Sequence, residues 1–194
     1  MKSILVFSWP YNLIYLAMAL GLVLIDRPMR RRSRGLPRTQ DRSSVRVINV
    51  GAGGGAVIAM VLAILLPAAA MPAPRLAFWL GAALILGGGL IRFLALRALG
   101  ESFTAIVHVV PGQGVVERGP YRWVRHPAYT AAIASLVGIG LTLGNWVSLG
   151  LLFLIALVVY SYRATVEEAA LVATLGRQYQ EYQRRTWRFV PFFY

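Results

Sequence analysis

The chain has 194 residues, 58% hydrophobic and only 14% charged, with a mean hydropathy of +0.62; soluble domains carry about 25% charged residues, so this is the composition of a multi-pass membrane protein. Twenty Lys and Arg against seven Asp and Glu give a net charge of +13. The basic residues lie between apolar segments, where membrane orientation and anionic lipid account for them and no nucleic-acid partner is expected. The absence of cysteine excludes disulfides and thiolate metal ligands, and two histidines, His108 and His126, do not make a histidine-rich metal site.

The first apolar segment, about Ile4 to Ile25, is long enough to cross a hydrocarbon core of ~30 Å at ~1.5 Å per residue. It lacks a cleavage-site pattern and leads into arginines, as a retained helix does. Residues 26–46 follow as a loop with eight arginines, read as a positive-inside stop; binding of an acidic substrate or headgroup is the alternative. The second segment, about Val47 to Ala70, opens with Gly51, Gly53, Gly54 and Gly55, which let neighbouring helices approach closely. A phosphate-cradling loop is the weaker reading, since no lysine or Ser/Thr follows in the required positions. The third, about Leu76 to Leu99, carries Arg92 and Arg97 in its last turns, within snorkelling reach of the headgroups.

Two shorter apolar runs, Ala128 to Leu143 and Trp146 to Tyr162, are joined by Gly144-Asn145 and predict a tight helical hairpin. The tail from Arg163 reads as an amphipathic helix, with Leu171, Leu175, Tyr179 and Tyr182 at helical spacing, ending in an aromatic stretch suited to an interface. The expected fold is therefore an all-α integral membrane protein of about five transmembrane helices. Residues 1–98 would hold three of them, and residues 99–194 would hold the connecting loop, the hairpin 128–162 and the tail. The arginine distribution predicts an external amino terminus, with the carboxyl terminus and all seven acids on the cytosolic side.

Two patches carry the chemistry. Pro127 biases His126 away from helical geometry, so a helix starts there and holds Arg125 and His126 at its mouth, beside Gly119, Pro120, Tyr121 and Arg122. A side chain at such a boundary is expected to contribute little to packing. Beyond the last apolar run, Arg163 and Glu167 share a helix face at i and i+4, with Glu168 adjacent and pointing elsewhere. A carboxylate there suits ribose hydroxyls or an ammonium group. Plain readings stand beside these: a helix start for His126 and a solvated charge pair for the acids.

The run Leu99-Gly100-Glu101-Ser102-Phe103, the block Gly119-Pro120-Tyr121-Arg122-x-x-Arg125-His126-Pro127-x-Tyr129, Arg163-x-x-x-Glu167-Glu168 and Leu175-Gly176-x-x-Tyr179-x-x-Tyr182 together resemble the isoprenylcysteine carboxyl methyltransferase and phospholipid methyltransferase superfamily. The resemblance covers about Leu99 to the carboxyl end. It implies S-adenosyl-L-methionine as donor and S-adenosyl-L-homocysteine as product, in a cytosol-facing pocket closed by the tail. One wall would be Gly119, Tyr121, Arg125, His126, Pro127 and Tyr129, with Val115 and Val116 lining it; Glu167 and Glu168 would form the other. Arg163, His126 and Glu167 are the candidate catalytic residues: Arg163 to steer an anionic acceptor, and Glu167 or His126 as base if the acceptor is an amine or thiol. Some relatives have histidine where this chain has Gln113. The implied partners are a lipophilic methyl acceptor, isoprenylcysteine-like or another lipid, and membrane lipid. The competing expectations are an NADPH-dependent reductase of the sterol-reductase kind, which shares a His-Pro-x-Tyr element, and a non-catalytic lipid-binding protein.

Overall fold

The computed structural model describes residues 4–32, 43–100 and 114–191. The expectations placed on Glu101-Ser102-Phe103, on Gln113 and on residues 33–42 of the arginine loop fall outside these residues. Among the described residues the secondary structure is helical. Six helices are numbered here α1 (Tyr11–Arg32), α2 (Ser44–Leu65), α3 (Pro74–Leu99), α4 (Pro127–Thr142), α5 (Trp146–Leu175) and α6 (Arg177–Arg185). Of these, α1, α2, α3 and α5 are long and apolar enough to cross a membrane, and α4 is a shorter apolar helix. The fold class expected from the sequence is therefore the one observed.

The boundaries follow local chemistry. Pro74 and Pro127 begin α3 and α4, where a missing N–H costs nothing. Asn145 caps α5: its side-chain oxygen accepts from the backbone N–H of Val147 and Ser148 at 3.0 and 3.1 Å. Its amide donates to the Leu66 carbonyl at 2.9 Å, tying the α4–α5 turn to the end of α2. Within α2, residues Asn49–Gly54 widen into a π-helical turn.

Three boundaries differ from expectation. First, α1 continues past the apolar run, so Asp26 to Arg32 are helical rather than loop. Second, α5 does not stop at Tyr162; it runs on to Leu175, where Gly176 at φ +56° ends it. Thirty residues span ~45 Å, well beyond a ~30 Å hydrocarbon core, so the last third of α5 projects past the apolar layer with Arg163, Glu167 and Glu168 on it. Third, the tail helix is only α6, so Leu171 and Leu175 belong to α5, while Tyr179 and Tyr182 are the buried face of α6.

Packing centres on α3 against α4. Added to Gly81, a Cβ would lie 2.5 Å from the Gly138 carbonyl, and one on Gly138 would lie 2.7 Å from the Gly81 carbonyl, so the backbones touch. The core beside them holds Phe78, Leu136, Leu143, Leu152 and Ala156. In the second segment Gly51 and Gly55 do face α5, against Val159 and Ile155, whereas Gly53 and Gly54 face open space. This arrangement brings the end of α1, the starts of α2 and α4, and the ends of α3 and α5 to one end of the bundle.

Candidate active site

At that end, Gly119–Arg122 forms a 3₁₀ turn that Gly119 enters at φ +60°. Tyr121 from this turn is buried with Ala95 of α3 and Ala128 of α4. Its carbonyl accepts from the Tyr182 hydroxyl at 2.7 Å, which docks α6 onto the turn. Val115 and Val116 are partly buried in the irregular stretch leading into it.

His126 stands at the N-cap of α4 with Pro127 behind it. It is 5% exposed and stacks on Tyr129 at 5.1 Å and an interplanar angle of 7°. The expectation that this side chain contributes little to packing is thus corrected: it is part of a buried aromatic stack. Its ring also corrects the picture of two carboxylates pointing apart. Nε2 lies 2.9 Å from Oε1 of Glu168, and Nδ1 lies 3.6 Å from Oε2 of Glu167, so the imidazole sits between both acids. The turn of helix between Tyr129 and His126 makes this possible from the α4 side.

The two acids have different surroundings. Glu168 accepts from Arg125 Nε at 2.8 Å and from His126, and Arg188 Nη2 approaches its other oxygen at 3.0 Å. Its lone pairs are largely taken, and its side chain is 14% exposed. Glu167 accepts from the Tyr129 hydroxyl, and its side chain is 33% exposed. Arg163 is 3% exposed. Its Nε donates to the Tyr129 hydroxyl at 3.0 Å and its Nη1 to the Ser44 hydroxyl, so Arg163, Tyr129 and Glu167 form one hydrogen-bonded chain. Arg163 and Glu167 do share a helix face, but Tyr129 stands between them.

The carboxyl-terminal stretch is a strap rather than a free interfacial segment. The backbone N–H of Arg125 donates to the Trp187 carbonyl at 2.8 Å, that of His126 to Arg188 at 3.1 Å, and that of Trp187 to Trp123 at 3.0 Å. Arg125 Nη1 donates to the Thr186 carbonyl and Thr130 to the Phe189 carbonyl, both at 2.5 Å. Burial raises the phenol pKa of Tyr179 above its ordinary value, and the charges of Glu167 and Glu168 raise it further.

All of Gly119, Tyr121, Arg125, His126, Pro127, Tyr129, Arg163, Glu167 and Glu168 thus lie at one end of the bundle. Five of them, Arg125, His126, Tyr129, Glu167 and Glu168, form one contiguous cluster with Arg163. The sequence reading missed Ser44, Thr186 and Arg188, which hold Arg163, Arg125 and Glu168. It also favoured a snorkelling role for Arg92 over a functional one. In the structure Arg92 meets Asp26 through two hydrogen bonds, at 2.5 and 3.1 Å, and donates to the Ala128 carbonyl at 3.1 Å. A lone acid leaving α1 and a lone deep arginine in α3 were the available signal.

Residues 80–173, from α3 through the acid pair, match the isoprenylcysteine carboxyl methyltransferase (ICMT) family. The chain is 37% identical over 95 residues to the uncharacterized protein YpbQ of Bacillus subtilis, covering 48% of this chain and 56% of that one. It is 34% identical over 106 residues to the protein-S-isoprenylcysteine O-methyltransferase of Schizosaccharomyces pombe, covering 54% and 45%. The chain therefore spans about half the length of the curated relatives it matches. A solved structure of the eukaryotic intramembrane Ras methyltransferase ICMT shares the fold, with a TM-score of 0.63, 21% identity, and coverage of 93% of this chain and 63% of that one. The likeness in fold thus reaches into the first two helices, where the sequence alone carries no signature. The match to the isoprenylcysteine carboxyl methyltransferase (ICMT) family thus takes in most of α3, all of α4 and the acid pair of α5.

Proposed function

We propose that this protein is a membrane methyltransferase that uses S-adenosyl-L-methionine to methylate a lipophilic acceptor, an isoprenylcysteine carboxylate or a lipid of similar form. The observation that carries the reading is the Arg163–Tyr129–Glu167 chain with His126 against it, inside the segment shared with the family. In this reading residues 99–194 form the catalytic half, residues 1–98 its frame, and the arginine-rich end faces the cytosol.

The donor set fits the donor's chemistry. Glu167 retains acceptor capacity beyond Tyr129 and is a third exposed, so it suits ribose hydroxyls or an ammonium group. Tyr121, His126 and Tyr129 supply flat faces beside it, and the turn at Gly119, Val115 and Val116 supplies backbone and hydrocarbon. Bound there, S-adenosyl-L-methionine would supply an electrophilic methyl on a sulfonium, with S-adenosyl-L-homocysteine as the product. The chain's own residues align and shield. Arg163 is held rigidly by Tyr129 and Ser44 and gives the site a fixed positive charge for an anionic acceptor. A carboxylate acceptor needs no proton removed, so no base is required and alignment is the main contribution. The strap at Trp187–Phe189 excludes water from the mouth of α4.

Ligand-dependent melting of the purified protein in lipid tests this reading. S-Adenosyl-L-homocysteine is expected to raise the melting temperature by mass action, while NADPH leaves it unchanged. Stabilisation by NADPH alone would contradict it and favour a reductase.

A further inference from the structure

The Asp26–Arg92 pair takes no part in the chemistry described above, yet a largely buried charge pair is costly to keep without a purpose. Asp26 follows an uncharged stretch of α1, and Arg92 lies about two turns inside the end of α3. Their side chains are only 19% and 16% exposed. The guanidinium grips both oxygens of Asp26 and places a third donor on the carbonyl of Ala128. Ala128 stands in the first turn of α4, two residues after His126 and one before Tyr129. One turn along α3 from Arg92, Ala95 packs against the same Ala128 and against Tyr121. Two consecutive contacts from α3 therefore seat this turn, and α1 fixes the angle of the one that carries charge.

We propose that Asp26 and Arg92 are positioning residues for the active site: a fork from α3, locked by α1, that sets the first turn of α4 and thereby the placement of His126 and Tyr129 against Glu167 and Glu168. The catalytic consequence rests on the methyl-transfer reading; the geometric one does not. Lysine at position 92 keeps the charge and can pair with Asp26, but a point charge cannot span two carboxylate oxygens and a carbonyl together.

The chain has only two histidines, His108 and His126, so ¹⁵N-histidine labelling in lipid nanodiscs gives two imidazoles, assigned with His108→Asn. Arg92→Lys is expected to move the His126 ring signals while leaving those of His108 in place. It is expected to lower kcat on the order of ten- to a hundredfold, the effect of a small misplacement, with the KM for the acceptor little changed. Asp26→Glu should keep more of kcat than Asp26→Asn, since a purely bulk role would not distinguish them by charge. A shifted His126 signal in a protein whose unaltered form transfers no methyl group would uphold the positioning and overturn the methyl-transfer reading. His126 signals unmoved in both Arg92→Lys and Asp26→Asn would overturn the positioning whatever the activity; should Arg92→Lys fail to fold, the two Asp26 variants decide it.

Discussion

Four nitrogen atoms from Arg125, His126 and Arg188 converge on Glu168, while Glu167 beside it accepts from one phenol and keeps a third of its side-chain surface in contact with solvent. Identical side chains one residue apart thus divide the work: Glu168 holds the strap and the histidine, and Glu167 remains available to a ligand. Glu167→Gln is expected to weaken S-adenosyl-L-homocysteine binding by about 1–3 kcal/mol, the loss of a charged hydrogen bond, as read by calorimetry; unchanged affinity would remove it from the site. His126→Ala carries a further expectation set by burial. Because the ring is 5% exposed and stacked on Tyr129, its loss should lower stability by roughly 1–3 kcal/mol as well as activity. Much of this cluster was legible in the sequence, because Arg-His-Pro-x-Tyr and a paired acid are unusual next to apolar runs. Ser44 and Arg188 were not, since a serine after an arginine loop and an arginine between aromatics have many uses until the fold brings them to a partner.

Among the elements, α3 and the α4–α5 hairpin were legible because they obey local rules: an uninterrupted apolar length, proline at the first helical position, and a Gly-Asn turn whose asparagine caps the next helix. The continuation of α5 past Tyr162 was not. The loss of hydropathy there marks the end of the apolar layer, whereas Ala, Glu and Leu keep the helix going until Gly176. The strap was hidden for a different reason, since its hydrogen bonds join residues some sixty positions apart and leave no periodic trace. Arg188 ties it to Glu168 and Thr165. Arg188→Ala should free the segment and speed its cleavage by a protease with little effect on the melting of the helical bundle. Equal cleavage rates would show that backbone pairing alone holds it.

For the whole molecule, hydropathy and charge set the architecture, and close backbone contact sets the spacing. Among the described residues only Arg75 puts a basic side chain at the end away from the site, so the bundle is strongly polarised. The glycines divide by geometry rather than by sequence. Gly81→Ala meets backbone on α4 and should lower stability by about 1–3 kcal/mol in a detergent melt. Gly87→Ala meets nothing within 4 Å and should leave the melting temperature unchanged or raised. Failure of that contrast would mean that α3 and α4 are not in backbone contact. The central claim concerns what the polarised end does. Its most direct test is to incubate the purified protein in lipid vesicles with methyl-tritiated S-adenosyl-L-methionine and a panel of lipophilic acceptors, headed by an S-prenylated cysteine with a free carboxylate. The account predicts tritium in a base-labile ester on that acceptor or in a methylated lipid of the panel, with transfer largely lost in Glu167→Gln. Tritium in none of them, or equal transfer by Glu167→Gln, would contradict it.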